Sequence, residues 1–132
     1  MRITADTNVL VRAIVADDPS QARVAQATLE KAALIALTPT ALCEFVWVLA
    51  RGYGISHADI AAAIRRLIAS KNVEANRPAI EAGLALLEQG GDFADGIIAF
   101  EGASLGGERF VSFDKDAVRR LKKLGRDAAV LG

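Results

Sequence analysis

The most constraining feature of the sequence lies near its start, where a short apolar run ends in a carboxylate. Ile3-Thr4-Ala5 has the composition of a β-strand, and Asp6-Thr7-Asn8 follows it directly. A helix is then predicted, with Val9 and Leu10 on its apolar face. In open α/β sheets, ligands bind beyond the carboxyl ends of the strands. The stretch therefore predicts an α/β fold in which Asp6 stands at the functional edge of the sheet.

Length and composition narrow the class of protein. A chain of 132 residues with 52% hydrophobic content predicts a single globular domain, residues 1–132. Apolar runs are shorter than the ~18 residues that indicate a membrane span. The single cysteine, Cys43, cannot form an internal disulfide, which is typical of a cytoplasmic protein. The formal net charge is zero, so a nucleic-acid partner is neither required nor excluded.

Short apolar runs alternate with helical patterns along the rest of the chain. Strands are predicted at residues 33–37 and 109–113, a weak strand or an extended connection at 72–76, and a final edge strand at 128–131. Thr38, Ser56 and Asp92 are predicted helix caps. This alternation indicates a mostly parallel central sheet with helices on both faces. Helices outnumber strands between residues 39 and 89, so part of that region is expected to form a helical lobe.

Glu44 is predicted to lie on an apolar helix face. It shares that face with Ala41, Phe45 and Val48 at helical spacing. A carboxylate in such a place is rare unless it is paired or bound to a metal. Two interpretations of Glu44 therefore remain: it is a functional acid, or it forms a salt bridge to a nearby arginine.

Asp95 is predicted to lie on a second apolar face, together with Ile98, Ala99 and Gly102. Asp92 takes the capping position of this helix, which leaves Asp95 without a capping duty. We therefore assign Asp92 to structure and Asp95 to chemistry.

Asp114 follows the predicted strand 109–113 as Asp6 follows the first strand. Each of the two acids has an alternative role as the N-cap of the next helix. Ser112 alternates with Phe113 and is predicted to face the acids from the strand end. If both strands are central and parallel, Asp6 and Asp114 lie side by side.

Carboxylates held together repel one another, and a hard divalent cation relieves that repulsion. Oxygen ligands without a nearby histidine or cysteine favour Mg²⁺ or Mn²⁺ over Zn²⁺. A metal-bound water can attack phosphorus while metal stabilises the leaving oxygen. The only histidine, His57, lies in a predicted first helical turn, which disfavours a Ser-His-Asp site. The acids therefore point to metal-dependent hydrolysis of a phosphate ester.

Four motifs in order resemble those of PIN-domain proteins, in particular the VapC toxins of bacterial toxin–antitoxin pairs. They are Ala5-Asp6-Thr7-Asn8-Val9-Leu10, Glu44 upstream of Arg51-Gly52-Tyr53-Gly54-Ile55, Asp92-Phe93-Ala94-Asp95, and Val111-Ser112-Phe113-Asp114-Lys115-Asp116. No single motif is specific, but the resemblance spans nearly the whole chain.

The resemblance implies a three-layer α/β/α sandwich and an Mg²⁺- or Mn²⁺-dependent endoribonuclease. The acidic quartet of the family falls on Asp6, Glu44, Asp95 and Asp114, as catalytic and metal-binding residues. The supporting polar positions fall on Asn8, Ser112 and Asp116. The resemblance further implies RNA substrates, a homodimer, and a VapB-type antitoxin whose C-terminal segment blocks the site. Gly96 departs from the family, in which alanine is common at this position.

Two other functions compete with the ribonuclease. A phosphatase that forms an aspartyl-phosphate also begins with an aspartate after its first strand, although such enzymes usually carry a second acid where this chain has Asn8. A non-catalytic interaction module would keep the fold and bind no metal.

Overall fold

Parallel strand pairing organises both parts of the chain. The computed structural model describes residues 1–132 and divides into two units, residues 1–76 and residues 77–132. All strands are short, and each is paired in parallel within its own unit. The prediction of an α/β fold with parallel strands is therefore confirmed. The expectation of a single domain stays a prediction.

Residues 1–76 contain three strands and four α-helices. In chain order these are β1 (Arg2–Thr4), α1 (Thr7–Ile14), α2 (Pro19–Lys31), β2 (Leu34–Leu37), α3 (Pro39–Trp47), a π-helical segment (Val48–Gly52), α4 (His57–Ala69) and β3 (Val73–Ala75). The middle strand, β2, pairs with β1 through Ile3 opposite Ile35 and with β3 through Ile35 opposite Val73. Ile35 and Leu37 are buried on one face of β2, as the two-residue period of a strand requires.

Side-chain caps start α3 and α4 at the predicted residues. Thr38 accepts a hydrogen bond from the backbone N–H of Ala41, and Ser56 accepts one from that of Asp59, each at 3.1 Å. Each bond satisfies a backbone donor that the helix cannot pair and is worth about 1 kcal/mol.

Residues 77–132 contain three α-helices and two strands. In chain order these are α5 (Arg77–Glu88), α6 (Phe93–Ser104), β4 (Phe110–Ser112), α7 (Lys115–Lys123) and β5 (Ala128–Val130). The core of this unit is apolar and is formed by Leu86, Ala99, Val118, Leu121 and Ala128, with Phe110 packed against it. β4 is shorter than the predicted strand 109–113, and Phe113 beyond its end is exposed.

Helices α5 and α6 approach each other closely because glycines stand at their contact. A Cβ atom at Gly96 would lie 2.3 Å from the carbonyl oxygen of Ala82, and one at Gly83 would lie 2.7 Å from the ring of Phe93. The first of these obstacles is backbone, which cannot move aside as a flexible side chain can. The departure from alanine at residue 96 therefore has a physical reason, since only glycine fits this packing.

None of the helices has both the length and the apolar character needed to cross a bilayer.

Candidate functional site

Asp6 lies two residues beyond the end of β1, and its carboxylate plays no part in capping α1. It has the extended backbone of an N-cap residue (φ −74°, ψ 157°), yet its side chain makes no capping hydrogen bond. The residue is exposed. The alternative role of the Asp6 side chain as a cap of α1 is therefore wrong, and its carboxylate oxygens are available to a ligand.

Thr7 connects α1 to Glu44 on α3. Its side chain is only 5% exposed, and its hydroxyl oxygen lies 3.1 Å from Oε2 of Glu44 and 3.3 Å from the carbonyl oxygen of Ala41. A hydroxyl has one proton to donate, and a carboxylate is the stronger acceptor of the two. Thr7 thus fixes one oxygen of Glu44 and leaves Oε1 for other contacts. Sequence reasoning missed this role, although a polar residue three positions before the buried Leu10 was a signal for it.

Glu44 itself is exposed, which corrects the prediction that it lies on a buried face. The buried face of α3 and the segment that follows consists of Leu42, Phe45, Val46 and Leu49. The prediction failed because this helix is apolar on nearly every side, so that spacing alone could not identify the inward face.

Asn8 and Arg12 lie one turn apart on α1, and Arg12 belongs to a polar cluster. Its Nη1 lies 3.1 Å from Oδ1 of Asp17, while the Tyr53 hydroxyl donates to Oδ2 of Asp17 at 3.0 Å. The hydrogen bond to Asp17, with some burial and the negative charge of Asp17, raises the pKa of Tyr53. The ion pair with Asp17 therefore partly neutralises the positive charge of Arg12. Asn8, one turn before Arg12 on α1, is exposed.

Asp95 is the most perturbed acid of the protein. It lies in the first turn of α6 and is half-buried. Burial, followed by the negative charges of Asp92 and Asp114, raises the pKa of Asp95 to about 6. The apolar face predicted for it is wrong in part, because Ala99 is buried but Ile98 is 56% exposed. Asp95 therefore differs from the other candidate acids in having a half-buried carboxylate close to the negative charges of Asp92 and Asp114.

Asp92 and Asp114 both cap helices in residues 77–132. Oδ1 of Asp92 accepts from the backbone N–H of Ala94 at 2.8 Å. Oδ1 of Asp114 accepts from the N–H groups of Asp116 and Ala117, at 2.9 and 3.1 Å. The capping role is thus confirmed for Asp92, and the alternative role of Asp114 as a cap also holds. Since capping uses only Oδ1, the Oδ2 atom of each residue is not committed to it.

The two remaining candidates of this unit have structural contacts. The Ser112 hydroxyl accepts from the N–H of Asp114 at 3.0 Å and so fixes the end of β4. Asp116 pairs with Arg120, at 2.7 Å between Oδ2 and Nε, and with Arg119 through Oδ1. Hydrogen bonds from Arg120 and Arg119 lower the pKa of Asp116. Both oxygens of Asp116 are therefore engaged by arginine.

The donor chemistry of these residues fits a hard divalent cation. All the candidate ligands present carboxylate oxygens, and burial followed by neighbouring negative charges raises the pKa of Asp95, a charge repulsion that a cation would relieve. Neither unit groups three histidine, cysteine, aspartate or glutamate side chains closely enough to hold a metal ion by itself.

Comparison with protein families gives one finding. The model of the PIN domain matches residues 3–124, which is nearly the whole chain. A comparison with curated proteins gives no match.

Proposed function

Because this chain belongs to the PIN-domain family, whose members are generally metal-dependent nucleases, we propose that it is an Mg²⁺- or Mn²⁺-dependent endoribonuclease. The observation that carries the proposal is the state of Asp95. Its carboxylate is half-buried beside two other carboxylates, and burial followed by these charges raises its pKa to about 6, an environment that a bound cation would relieve. Perturbed acids of this kind cluster at functional sites.

Each acidic residue has a role in the proposal. Asp6, Asp95 and Asp114 bind the metal through carboxylate oxygens. Glu44, held at Oε2 by the Thr7 hydroxyl, binds it directly or orients the attacking water through Oε1. The bound metal would lower the pKa of water and stabilise the leaving oxygen at phosphorus.

Polar residues around the acids would position them and the RNA. Ser112 fixes the backbone at Asp114, and Asp116, in the first turn of α7, holds Arg120. Asn8, exposed one residue after Thr7, would contact the metal-bound water or the substrate. Arg12, Arg51 and Lys115 are candidates to contact RNA phosphates.

We further propose that the nuclease is the VapC-type toxin of a type II toxin–antitoxin pair in the cytoplasm. The order and spacing of the four motifs support this assignment, since they resemble the VapC toxins over nearly the whole chain. The partners would be an RNA substrate, a VapB-type antitoxin and a second copy of the chain. Trp47, which is 64% exposed, is a candidate for the homodimer interface.

The nuclease is tested by incubating the antitoxin-free protein with total cellular RNA, with Mg²⁺ or with EDTA, and mapping new RNA ends. We expect discrete ends that require Mg²⁺ and that vanish in Asp6→Asn. Asp59→Asn is the matched control, because Asp59 is an exposed acid in the first turn of α4. Cleavage by Asp6→Asn at the wild-type rate would refute the assignment.

The same samples separate the rival functions. Release of phosphate from a simple phosphomonoester, without RNA cleavage, would identify the aspartyl-phosphate phosphatase. A folded protein that binds no metal would instead be an interaction module.

The toxin role needs a test in cells. We expect induction of the wild-type chain to stop growth and induction of Asp6→Asn to have no effect. Co-expression of a small DNA-binding protein encoded next to it should restore growth. Normal growth with full nuclease activity in the extract would contradict the toxin role and leave the nuclease intact.

A further inference from the structure

Arg120 contacts two parts of residues 77–132 that are distant in sequence. Its Nε lies 2.7 Å from Oδ2 of Asp116, in the first turn of α7. Its Nη1 donates to the carbonyl oxygen of Gln89, in the turn between α5 and α6. The Arg120 side chain is only 19% exposed, and its bond to the Gln89 carbonyl is partly buried, whereas the Asp116 side chain is 53% exposed.

The α5–α6 turn, residues 89–91, is shaped to receive this side chain. A Cβ atom at Gly91 would lie 2.7 Å from Cδ of Arg120. The backbone N–H groups of Gly90 and Gly91 bond to Leu87 and Leu86, at 2.9 and 2.8 Å, while the Gln89 carbonyl turns outwards to Arg120. The absence of a side chain at Gly91 thus lets the arginine stem lie directly on the turn.

Each end of this contact adjoins a candidate metal ligand. Asp92 and Asp95 follow Gly91 at the start of α6, and Asp114 precedes Asp116 at the start of α7. We propose that Arg120 is a positioning residue, which holds the α5–α6 turn against the first turn of α7 and so fixes the separation of Asp95 and Asp114. The inference rests on the proposed function for its consequence, since the spacing of these two acids matters only if both bind the metal.

Arg119 provides the matched comparison within the same helix. It pairs with the same carboxylate, Asp116, but its side chain is 60% exposed and it makes no bond to the α5–α6 turn. Arg119→Lys and Arg120→Lys both keep the positive charge near the same acids. A lysine at residue 120, however, has one nitrogen in place of the guanidinium fork and cannot occupy both bonding positions.

The test compares Arg120→Lys and Arg119→Lys with the wild-type protein in three measurements. The first is amide hydrogen exchange at Gly91 and Ala94 without metal. The second is Mn²⁺ affinity, from the electron paramagnetic resonance signal of free Mn²⁺. The third is kcat for RNA cleavage at increasing Mn²⁺ concentrations.

We expect Arg120→Lys to accelerate exchange in the turn and to weaken Mn²⁺ binding about tenfold, as loss of a residue that orients metal ligands does. Its kcat should return to near the wild-type value at saturating Mn²⁺, because the ligands themselves are intact. Arg119→Lys should stay within twofold of the wild type in all three. If Arg120→Lys does not fold, Arg120→Met should show the same pattern, since its stem still packs on Gly91 without a donor.

Three results would overturn the positioning role. Equal effects of both lysine variants would mean that charge near Asp116 matters and the turn contact does not. Faster exchange with unchanged Mn²⁺ affinity would reduce Arg120 to a structural residue. A wild-type protein that binds no Mn²⁺ would refute the proposed function, and with it the role of Arg120 at a metal site. Faster exchange in Arg120→Lys would then still support the turn contact.

Discussion

The two units of the chain hold their candidate acids in opposite ways. In residues 1–76, Asp6 and Glu44 are exposed, and a neutral hydroxyl from the buried Thr7 fixes Glu44. In residues 77–132, Asp92 and Asp114 are fixed by backbone N–H groups at helix starts, and the half-buried Asp95 lies within their field. The first arrangement fixes a charge through a neutral donor, and the second brings a half-buried carboxylate close to two like charges, which together with burial raises its pKa.

This difference teaches that the four acids of the predicted quartet are not equivalent. Loss of charge at Asp95 should stabilise the folded protein, whereas loss of charge at Glu44 weakens the hydrogen bond from the buried Thr7 hydroxyl, whose other acceptor is the Ala41 carbonyl at 3.3 Å. Stability and activity should therefore change in opposite directions at Asp95 and together at Glu44.

The largest effect is expected for Asp95→Asn. RNA cleavage should fall about a thousandfold or more, because several kcal/mol of transition-state stabilisation by the metal are lost. The metal-free variant should unfold at a higher urea concentration than the wild type at pH 8, since the cost of burying the Asp95 charge and its repulsion with Asp92 and Asp114 are both gone. Glu101→Gln, an exposed acid of the same helix, is the control for both measurements. A destabilised Asp95→Asn protein would contradict the electrostatic distinction between the units.

Gly96→Ala should have the next largest effect, on stability. The new methyl would meet the Ala82 carbonyl at 2.3 Å, so α5 and α6 must separate, at about 2–3 kcal/mol. Thermal unfolding should show the loss. Gly102→Ala in the same helix meets nothing within 4 Å and should be neutral or slightly stabilising, because alanine favours helix over glycine. Equal melting temperatures for the two variants would argue against the close contact.

Thr7→Val tests how Glu44 is held. The change preserves shape and removes the donor, so cleavage should fall about tenfold and the free energy of unfolding by about 1 kcal/mol. Thr7→Ser keeps the hydroxyl and should retain most of the activity. Comparable kcat values for the valine and wild-type proteins would show that Glu44 needs no such support.

The smallest expected effect is a pH dependence of the stability of the metal-free protein. The pKa of Asp95 is raised from 3.8 to about 6 on folding, so the folded state binds this proton more tightly than the unfolded chain. The resulting stabilisation is fully present below about pH 4 and is lost as pH rises through about 6. After allowance for solvent screening it amounts to about 1 kcal/mol. Urea unfolding from pH 4 to 8 should lose this dependence in Asp95→Asn, and its persistence there would assign the effect to another group.

Local sequence rules predicted much of the fold correctly. Thr38, Ser56 and Asp92 cap helices as expected, because a capping bond spans only two or three residues and needs no tertiary context. The apolar run 33–37 is indeed a strand, Leu34–Leu37, and it pairs on both sides.

The orientation of helix faces was harder to predict. Helical spacing with Ala41, Phe45 and Val48 predicts a buried face for Glu44, but α3 is apolar nearly all round. Which side turns inwards depends on partners that are distant in sequence. The roles of Gly96 and Thr7 also depend on residues distant in sequence. Gly96 allows close contact with the backbone of α5, and Thr7 bonds to Glu44, 37 residues away. The roles of the acidic quartet stay a prediction.

The most direct test of the central claim is Mn²⁺ binding to Asp6→Asn and Asp95→Asn, followed by electron paramagnetic resonance without RNA. If Asp6 and Asp95 serve one metal-dependent nuclease, each substitution should weaken binding at least tenfold, and the double variant should bind little more weakly than the worse single variant. Wild-type Mn²⁺ affinity in Asp6→Asn would contradict the claim, because the carboxylate that ends the first strand would then have no part in the metal site.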